Sequence, residues 1–273
     1  MTAIQNYPNL DIIPTEKICL HENHDPNRTL PLKKRIQTSG ILNNPPLVIP
    51  VSAKNEQYMV LDGANRVTAL KDIGLPHLLV QIVNPDSPGV SLQTWNHVIW
   101  NIDPDLLAQE IENLEGITLV TASTPTFSEL SLGFLFAANH RGFSIRNISS
   151  DPRSTAITKL VRRYSQLARY DRTMIEDTGS LAGYYKDFAG LIIYPPFQIS
   201  EVLQFCQDDK LLPAGITRFV VSPRALRVNY PLANMAGDKP LQEKRLILKN
   251  FIQDRMDKKG VRIYTEMTVL YDE

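Results

Sequence analysis

Met59-Val60-Leu61-Asp62-Gly63-Ala64-Asn65-Arg66-Val67-Thr68-Ala69-Leu70-Lys71-Asp72-Ile73-Gly74 is the stretch from which the rest of the chain can be read. Three apolar residues suited to a strand meet an Asp-Gly turn. From Ala64 onward Val67, Leu70 and Ile73 recur at helical spacing until Gly74 supplies a stop. A strand therefore feeds a helix through a polar corner. The first amides of such a helix lack internal partners and lie at the positive end of its dipole. Arg66, in the first turn, adds a planar fork of donors that matches phosphate oxygens. Asp62 on the same corner can hold a metal ion or a substrate hydroxyl. An anion site beside a carboxylate is the layout of a phosphoryl-transfer or phosphate-recognition site. The structural alternative is a surface turn whose Asp caps the helix and whose Arg makes a salt bridge.

Around this corner the composition sets wide bounds. A chain of 273 residues suffices for one large domain or two ordinary ones, and 43% hydrophobic with 21% charged residues fits a globular protein. The formal net charge of zero gives no overall electrostatic call for nucleic acid or an anionic membrane. Cys19 and Cys206, far apart in sequence, make no disulfide framework and fit a reducing cytosol. No basic-then-apolar leader is present, and no apolar run approaches the ~18–20 residues of a membrane helix. The expected location is the cytoplasm, without membrane attachment.

Upstream of the corner, Ile18-Cys19-Leu20 runs into the polar cluster His21-Glu22-Asn23-His24-Asp25-Pro26. A helix is expected from about Arg28, with Pro31 in its first turn, Leu32 and Ile36 on one face and Gly40 closing it. Asn44-Pro45-Pro46 is a rigid loop before a strand over 47–51, and a further strand covers 78–83. Asn84-Pro85-Asp86-Ser87-Pro88-Gly89 is the clearest break, which divides the chain into residues 1–85 and 86–273. Beyond it the pattern predicts a helix over 104–114, a strand over 117–121 and a hairpin from 132–136 and 143–148. A helix then runs from Asp151-Pro152 through about Arg172, followed by a strand over 191–194 and a short capped helix over 200–208. A long amphipathic helix over 238–259 and a last strand over 261–271 finish the chain. The expected fold class is α+β, or mixed α/β, with a small N-terminal domain and a larger α/β C-terminal domain.

Four groups of side chains can carry chemistry. Cys19, His21 and His24 are zinc-ligand types, but their spacing does not suit a structural site and no second pair lies nearby in sequence, so no metal ligands are assigned. Glu22 at a strand end can act as a general base. The Asp62–Arg66 corner is the second group. Thr217-Arg218 with Arg224 and Arg227 is the third; an odd spacing puts the last two on opposite sides of a strand unless the chain bends. The fourth is the basic helix bearing Arg153, Lys159, Arg162, Arg163, Arg169 and Arg172, whose apolar stripe marks an ordinary core-facing helix with a solvated charged side. No Gly-x-x-x-x-Gly-Lys-Ser/Thr loop occurs, which excludes a P-loop kinase.

The N-terminal ~85 residues resemble the ParB N-terminal/sulfiredoxin superfamily: a strand, a helix ending in Gly, a strand, then Asp-Gly-x-x-Arg opening a helix. Gly63-Ala64-Asn65-Arg66 lacks the thiol of sulfiredoxins, and the corner differs from the Gly-Glu-Arg-Arg of chromosome-partitioning ParB proteins. The chain is more similar to the free L-serine kinase branch, which includes archaeal ADP-dependent enzymes. The shared motifs are Leu20-His21-Glu22, Asn44-Pro45-Pro46, Asp62-Gly63-x-x-Arg66, Thr94-Trp95-x-His97 and Leu212-Pro213-Ala214-Gly215-Ile216-Thr217-Arg218. That resemblance implies a kinase that passes a phosphoryl group from ATP or ADP, with Mg2+, to the hydroxyl of free L-serine. Glu22 would be the base and Asp62 would orient the hydroxyl or the magnesium. Asn44, Pro45, Gly63, Ala64, Asn65 and Arg66 would hold the nucleotide; Asn65 stands where that branch often has His. His21, Trp95, His97, Thr217 and Arg218 would form the amino-acid side of a cleft between the two domains. A homodimer is compatible with the sequence and DNA is a poor fit, although a ParB-like nucleotide-binding regulator that binds DNA is the competing class.

Overall fold

The computed structural model describes residues 7–52 and 56–264. Its first unit runs through β1 (Asn9–Pro14), β2 (Ile18–Cys19), α1 (Pro26–Ser39), β3 (Ile41–Leu42), β4 (Leu47–Ser52), β5 (Gln57–Asp62), α2 (Ala64–Ile73) and β6 (His77–Ile82). Five of these strands form a sheet in the order β1-β6-β4-β5-β2. The β4–β6 and β2–β5 pairs are parallel, and the other two are antiparallel. The strand–corner–helix pattern is realised as expected: Gly63 N-caps α2 at φ 104, and Gly74 ends it in the left-handed region at φ 86. Val67, Ala69 and Leu70 are buried on the sheet side. Helix α1 begins earlier than its sequence pattern suggested. Asp25 is the N-cap, its carboxylate accepting from the Asn27 amide, and Pro31 falls inside the helix.

The second unit contains β7 (Val90–Thr94), β8 (Asn96–Trp100), α3 (Pro104–Glu112), β9 (Ile117–Thr121), β10 (Ser131–Ala137), β11 (Gly142–Asn147), α4 (Arg153–Leu167), β12 (Arg169–Thr173), α5 (Thr178–Tyr184), β13 (Phe188–Ile193) and α6 (Ile199–Gln207). Six strands form a sheet in the order β12-β8-β13-β10-β11-β9. Helix α4 buries Ala156, Ile157, Leu160, Val161 and Tyr164. The helix expected through Arg172 ends at Leu167, because Ala168 turns to an extended backbone and residues 169–173 add an edge strand to β8. Neither Gly nor Pro marks that end in the sequence. Helix α6 lacks the side-chain cap expected of it; Gln198 holds the N-cap position without such a bond.

Beyond the second sheet, β14 (Thr217–Val221) pairs with β7 in a separate ribbon. The chain then returns to the first unit: β15 (Tyr230–Pro231) pairs with β3, and α7 (Leu241–Asp257) lies against β1. Arg245 clasps both oxygens of Asp11 at 2.9 and 2.8 Å. Buried Lys244 donates to the carbonyls of Met235 and Gly237 at 2.7 and 2.8 Å. Residues 84–89 follow the last strand of the first sheet, and residues 230–257 return to its core with Tyr230, Met235 and Leu248. The opposite side of the sheet shares a core with the second unit, since Leu47, Ile49 and Met59 cluster with Ile99, Leu135 and Leu160. Cys19 and Cys206, expected to be unlinked, are joined by a disulfide across 187 residues; both side chains lie at the core shared by the two units. The final strand expected over 261–271 has no regular structure at 261–264, and 265–271 lie outside the described residues. Among the described residues no helix is long and apolar enough to cross a membrane.

Candidate active site

Three motifs distant in sequence are stitched together by backbone hydrogen bonds. Just past β2, Glu22 forms a parallel bridge with Leu212; the Leu212 amide donates to the His21 carbonyl at 2.9 Å, and the Asn23 amide to the Leu212 carbonyl at 2.8 Å. The 212–216 loop then enters β14, whose Thr217 and Arg218 face Thr94 and Gln93 of β7, while the Trp95 amide donates to the Ile216 carbonyl at 2.9 Å. Backbone pairing thus puts His21-Glu22, Thr94-Trp95 and Gly215–Arg218 in one place.

Glu22 sits in a cradle of neutral donors. The amides of Ile216 and Thr217 reach its Oε1 at 3.1 and 2.5 Å, the Thr217 hydroxyl reaches the same oxygen at 2.5 Å, and the Gly215 amide reaches Oε2 at 2.9 Å. Successive amides aimed at one anion form a nest. Oε1 is saturated, whereas Oε2 has one protein donor and retains capacity for a hydroxyl. Buried His21 donates from Nδ1 to the Val60 carbonyl at 2.6 Å, since a carbonyl only accepts, and its Nε2 faces the Thr217 hydroxyl at 2.6 Å. Burial lowers the His21 pKa, opposed by the Glu22 charge and the Val60 hydrogen bond.

Gly215 is the hinge of this wall. Its φ is +85°, and a Cβ there would lie 1.9 Å from Nε of Arg172, so the loop requires a glycine for both conformation and space. Its carbonyl accepts from Nε2 of His97 at 3.0 Å, which fixes that imidazole as the Nε2–H tautomer. Nδ1 of His97 then accepts from the Tyr164 hydroxyl, which in turn accepts from Tyr194 at 2.8 Å. Burial lowers the His97 pKa to about 4, with Arg172 acting the same way and the Gly215 hydrogen bond opposing, so the ring is neutral near pH 7. His97 was expected to hold the amino acid. It is fully buried instead and supports the loop from behind. Trp95 and Arg218 do line the cleft, with the Arg218 guanidinium 5.0 Å from the Trp95 ring centre and bonded to Gln93.

The opposite wall is the corner at 62–66. Arg66 donates to Oδ2 of Asp62 at 2.7 Å and to the Asn44 carbonyl at 2.9 Å, while Arg224 binds the same Oδ2. Burial pushes the Asp62 carboxyl up, but the two arginines together outweigh it and hold the group below its ordinary value. A Cβ on Gly63 would come within 3.1 Å of the Arg66 guanidinium, so the glycine lets that side chain fold beneath the turn. Arg224 reaches Asp62 because Gln81 clamps its segment, donating to the Pro223 carbonyl and accepting from the Ala225 amide, both at 2.8 Å. Asn44 accepts the Arg227 amide at 2.8 Å and Asn65 accepts the Asp25 amide at 2.8 Å, so both side chains brace the corner while also lining the cleft. Pro45, which is buried, and Arg227, which is exposed, are not part of the lining, whereas Ala64 is.

The two walls enclose one cavity of about 910 Å³ that touches Glu22, Asp62 and Arg66 alike. It also takes in Arg28 and Arg35 of α1 and Arg172 of β12, none of which the sequence reading placed in the site. The seven-residue spacing of Arg28 and Arg35, two helical turns, was available as a signal. Arg172 carries no such signal, because the sequence pattern places it on the basic helix. Of the six cations read onto that helix, Arg153 pairs with Glu201 at 2.8 Å, Lys159 with Asp151 at 2.6 Å, and Arg163 with Glu110. Among the described residues no cluster of three or more metal-ligand side chains occurs. A magnesium ion carried by phosphates needs only one or two protein oxygens, and Oδ1 of Asp62, left out of both arginine contacts, suits that demand.

No protein-family model matches the chain. It is similar along its length to the ATP-dependent L-serine kinase SbnI of Staphylococcus aureus, 26% identical over 268 residues covering 98% of each chain. It is 31% identical over 108 residues to the ATP-dependent L-serine kinase of Staphylothermus marinus, a match spanning 40% of this chain and 42% of that one. A C-terminally truncated SbnI structure superposes with a TM-score of 0.74 at 25% identity, covering 94% of this chain and all of that one. A free serine kinase mutant in complex with AMP superposes with a TM-score of 0.70, covering 85% of this chain and 95% of that one; at 16% identity this likeness concerns the fold alone.

Proposed function

We propose that this protein is a kinase that phosphorylates the hydroxyl of free L-serine, with ATP as donor, giving O-phospho-L-serine and ADP. The full-length similarity to an ATP-dependent L-serine kinase supports this activity. The observation that carries the mechanism is one cavity with a carboxylate oxygen open on one wall and a helix N-terminus with arginines on the other. Phosphoryl transfer asks little covalent chemistry of a protein; it needs the acceptor aimed and the moving charge met by positive groups.

Glu22, held by four donors, cannot swing; its Oε2 receives the serine hydroxyl and takes the proton as the O–P bond forms. His21 and Thr217 fix Glu22, and His97 fixes the loop whose amides hold it. The α2 amides after Gly63, with Ala64, Arg66 and Arg224, meet the phosphates of the nucleotide, and Arg28 and Arg35 extend the positive surface along α1. Asn44, Pro45 and Asn65 keep that corner in shape. Asp62 steers Arg66 and Arg224, and its Oδ1 is the protein oxygen available to nucleotide-bound magnesium, which would neutralise phosphate charge. Residues 1–85 then supply most of the phosphate-binding part, in the manner of a ParB/sulfiredoxin-like domain, with Arg224 added from beyond them, and residues 86–273 complete the amino-acid side. Incubation with ATP, Mg2+ and L-serine, followed by detection of O-phosphoserine, tests the reading. ATP consumption with no phosphoserine, or turnover equal for an unrelated hydroxyl compound, would remove it.

A further inference from the structure

The cleft arginines are not equivalent. Arg66 and Arg224 share Asp62, and Arg218 is bonded to Gln93 and stacked on Trp95. Arg28 and Arg35 are exposed on α1, the helix that packs beside α2. Half-buried Arg172 makes no side-chain hydrogen bond and no ion pair among the described residues, although it is pressed against Gly215 and opens onto the cavity. A half-buried guanidinium that no protein carboxylate pairs with has its donors available to an anion in the cavity.

Its location selects which anion. Gly215 touches both groups: its amide donates to Oε2 of Glu22, and its Cα lies against the Arg172 guanidinium. Arg172 therefore belongs to the base's wall and not to the wall of the α2 N-terminus. In free serine the carboxylate is two carbons from the hydroxyl, so whatever holds the carboxylate must stand beside the base. Resting on the serine kinase reading above, we infer that Arg172 binds the α-carboxylate of the amino-acid substrate and so selects free serine over serine within a peptide. A fork of donors facing a carboxylate gives bidentate binding that also sets the hydroxyl's direction.

Steady-state kinetics with L-serine and L-serinamide, which keeps the hydroxyl and amine but lacks the carboxylate charge, test this on wild type and on Arg172→Gln and Arg172→Lys. For wild type, the serinamide KM should exceed the serine KM by about 30-fold, the size of a charge-assisted contact. In Arg172→Gln the serine KM should rise by a similar factor and the serinamide-to-serine ratio should fall to about 1, with the ATP KM within about twofold, as expected for loss of uniform substrate binding. Arg172→Lys, which keeps the charge without the fork, should give an intermediate ratio and serves if the Gln variant does not fold. A wild type indifferent to the carboxylate, a variant that keeps the full ratio, or a rise confined to the ATP KM would each overturn the assignment. A wild type that phosphorylates neither compound would instead sink the kinase reading itself.

Discussion

The two walls of the cleft hold their carboxylates in opposite ways. Asp62 is answered by cations, Arg66 and Arg224, and they lean on it in return. Glu22 is answered by three amides and a hydroxyl, all neutral. A carboxylate shared between two guanidiniums leaves a wall with net positive charge, suited to phosphates. A carboxylate held by dipoles keeps its own charge. On the proposed reading, placing both in one cavity separates the tasks of phosphoryl transfer, one wall for the nucleotide and the other for the acceptor.

The largest test breaks the neutral cradle. Glu22→Ala should lower kcat by about 10³-fold, within the range for loss of a general base, and leaving the 215–217 amides unpaired should cost about 1–3 kcal/mol in a denaturant melt. Gly215→Ala comes next: the added methyl must displace Arg172 or the loop, so serine kcat/KM should fall by about 10²-fold, as misplacement of a reacting group does. The matching substitution on the cationic wall, Gly63→Ala, should act on the other substrate, raising the ATP KM by about 10-fold through displaced phosphate contacts, with the serine KM little changed. Equal effects of the two glycine substitutions on both KM values would abolish the division between walls.

Smaller effects follow from titration. His97 is neutral in the folded protein because burial lowers its pKa to about 4. The unfolded chain binds this proton first, so stability present above about pH 6.5 should be lost as pH falls toward 4, by roughly 3 kcal/mol. A melting series for wild type and His97→Gln should show a shallower acid slope in the variant. Asp62, with its carboxyl held below the ordinary 3.8 by two arginines against the pull of burial, contributes stability above that pH and loses it as pH drops through the lower folded value. Asp62→Asn should flatten that acid limb and leave the melting temperature above pH 5 less salt-dependent.

Local chemistry was legible where it repeats at short range. The Met59–Gly74 pattern specified strand, corner and helix because apolar spacing and glycine stops are properties of neighbouring residues. Glu22, Asp62, Trp95 and Thr217 could be singled out from motifs, and all line the cavity. Tertiary contact decided the rest. That His97 stands behind the loop, that Arg172 leaves the basic helix for an edge strand, and that Gln81 aims Arg224 depend on partners 118, 75 and about 143 residues away. The return of α7 to β1 and the Cys19–Cys206 link are of the same kind. Sequence periodicity reports which face of an element is apolar, but which surfaces then meet is settled by packing the whole chain around its shared core.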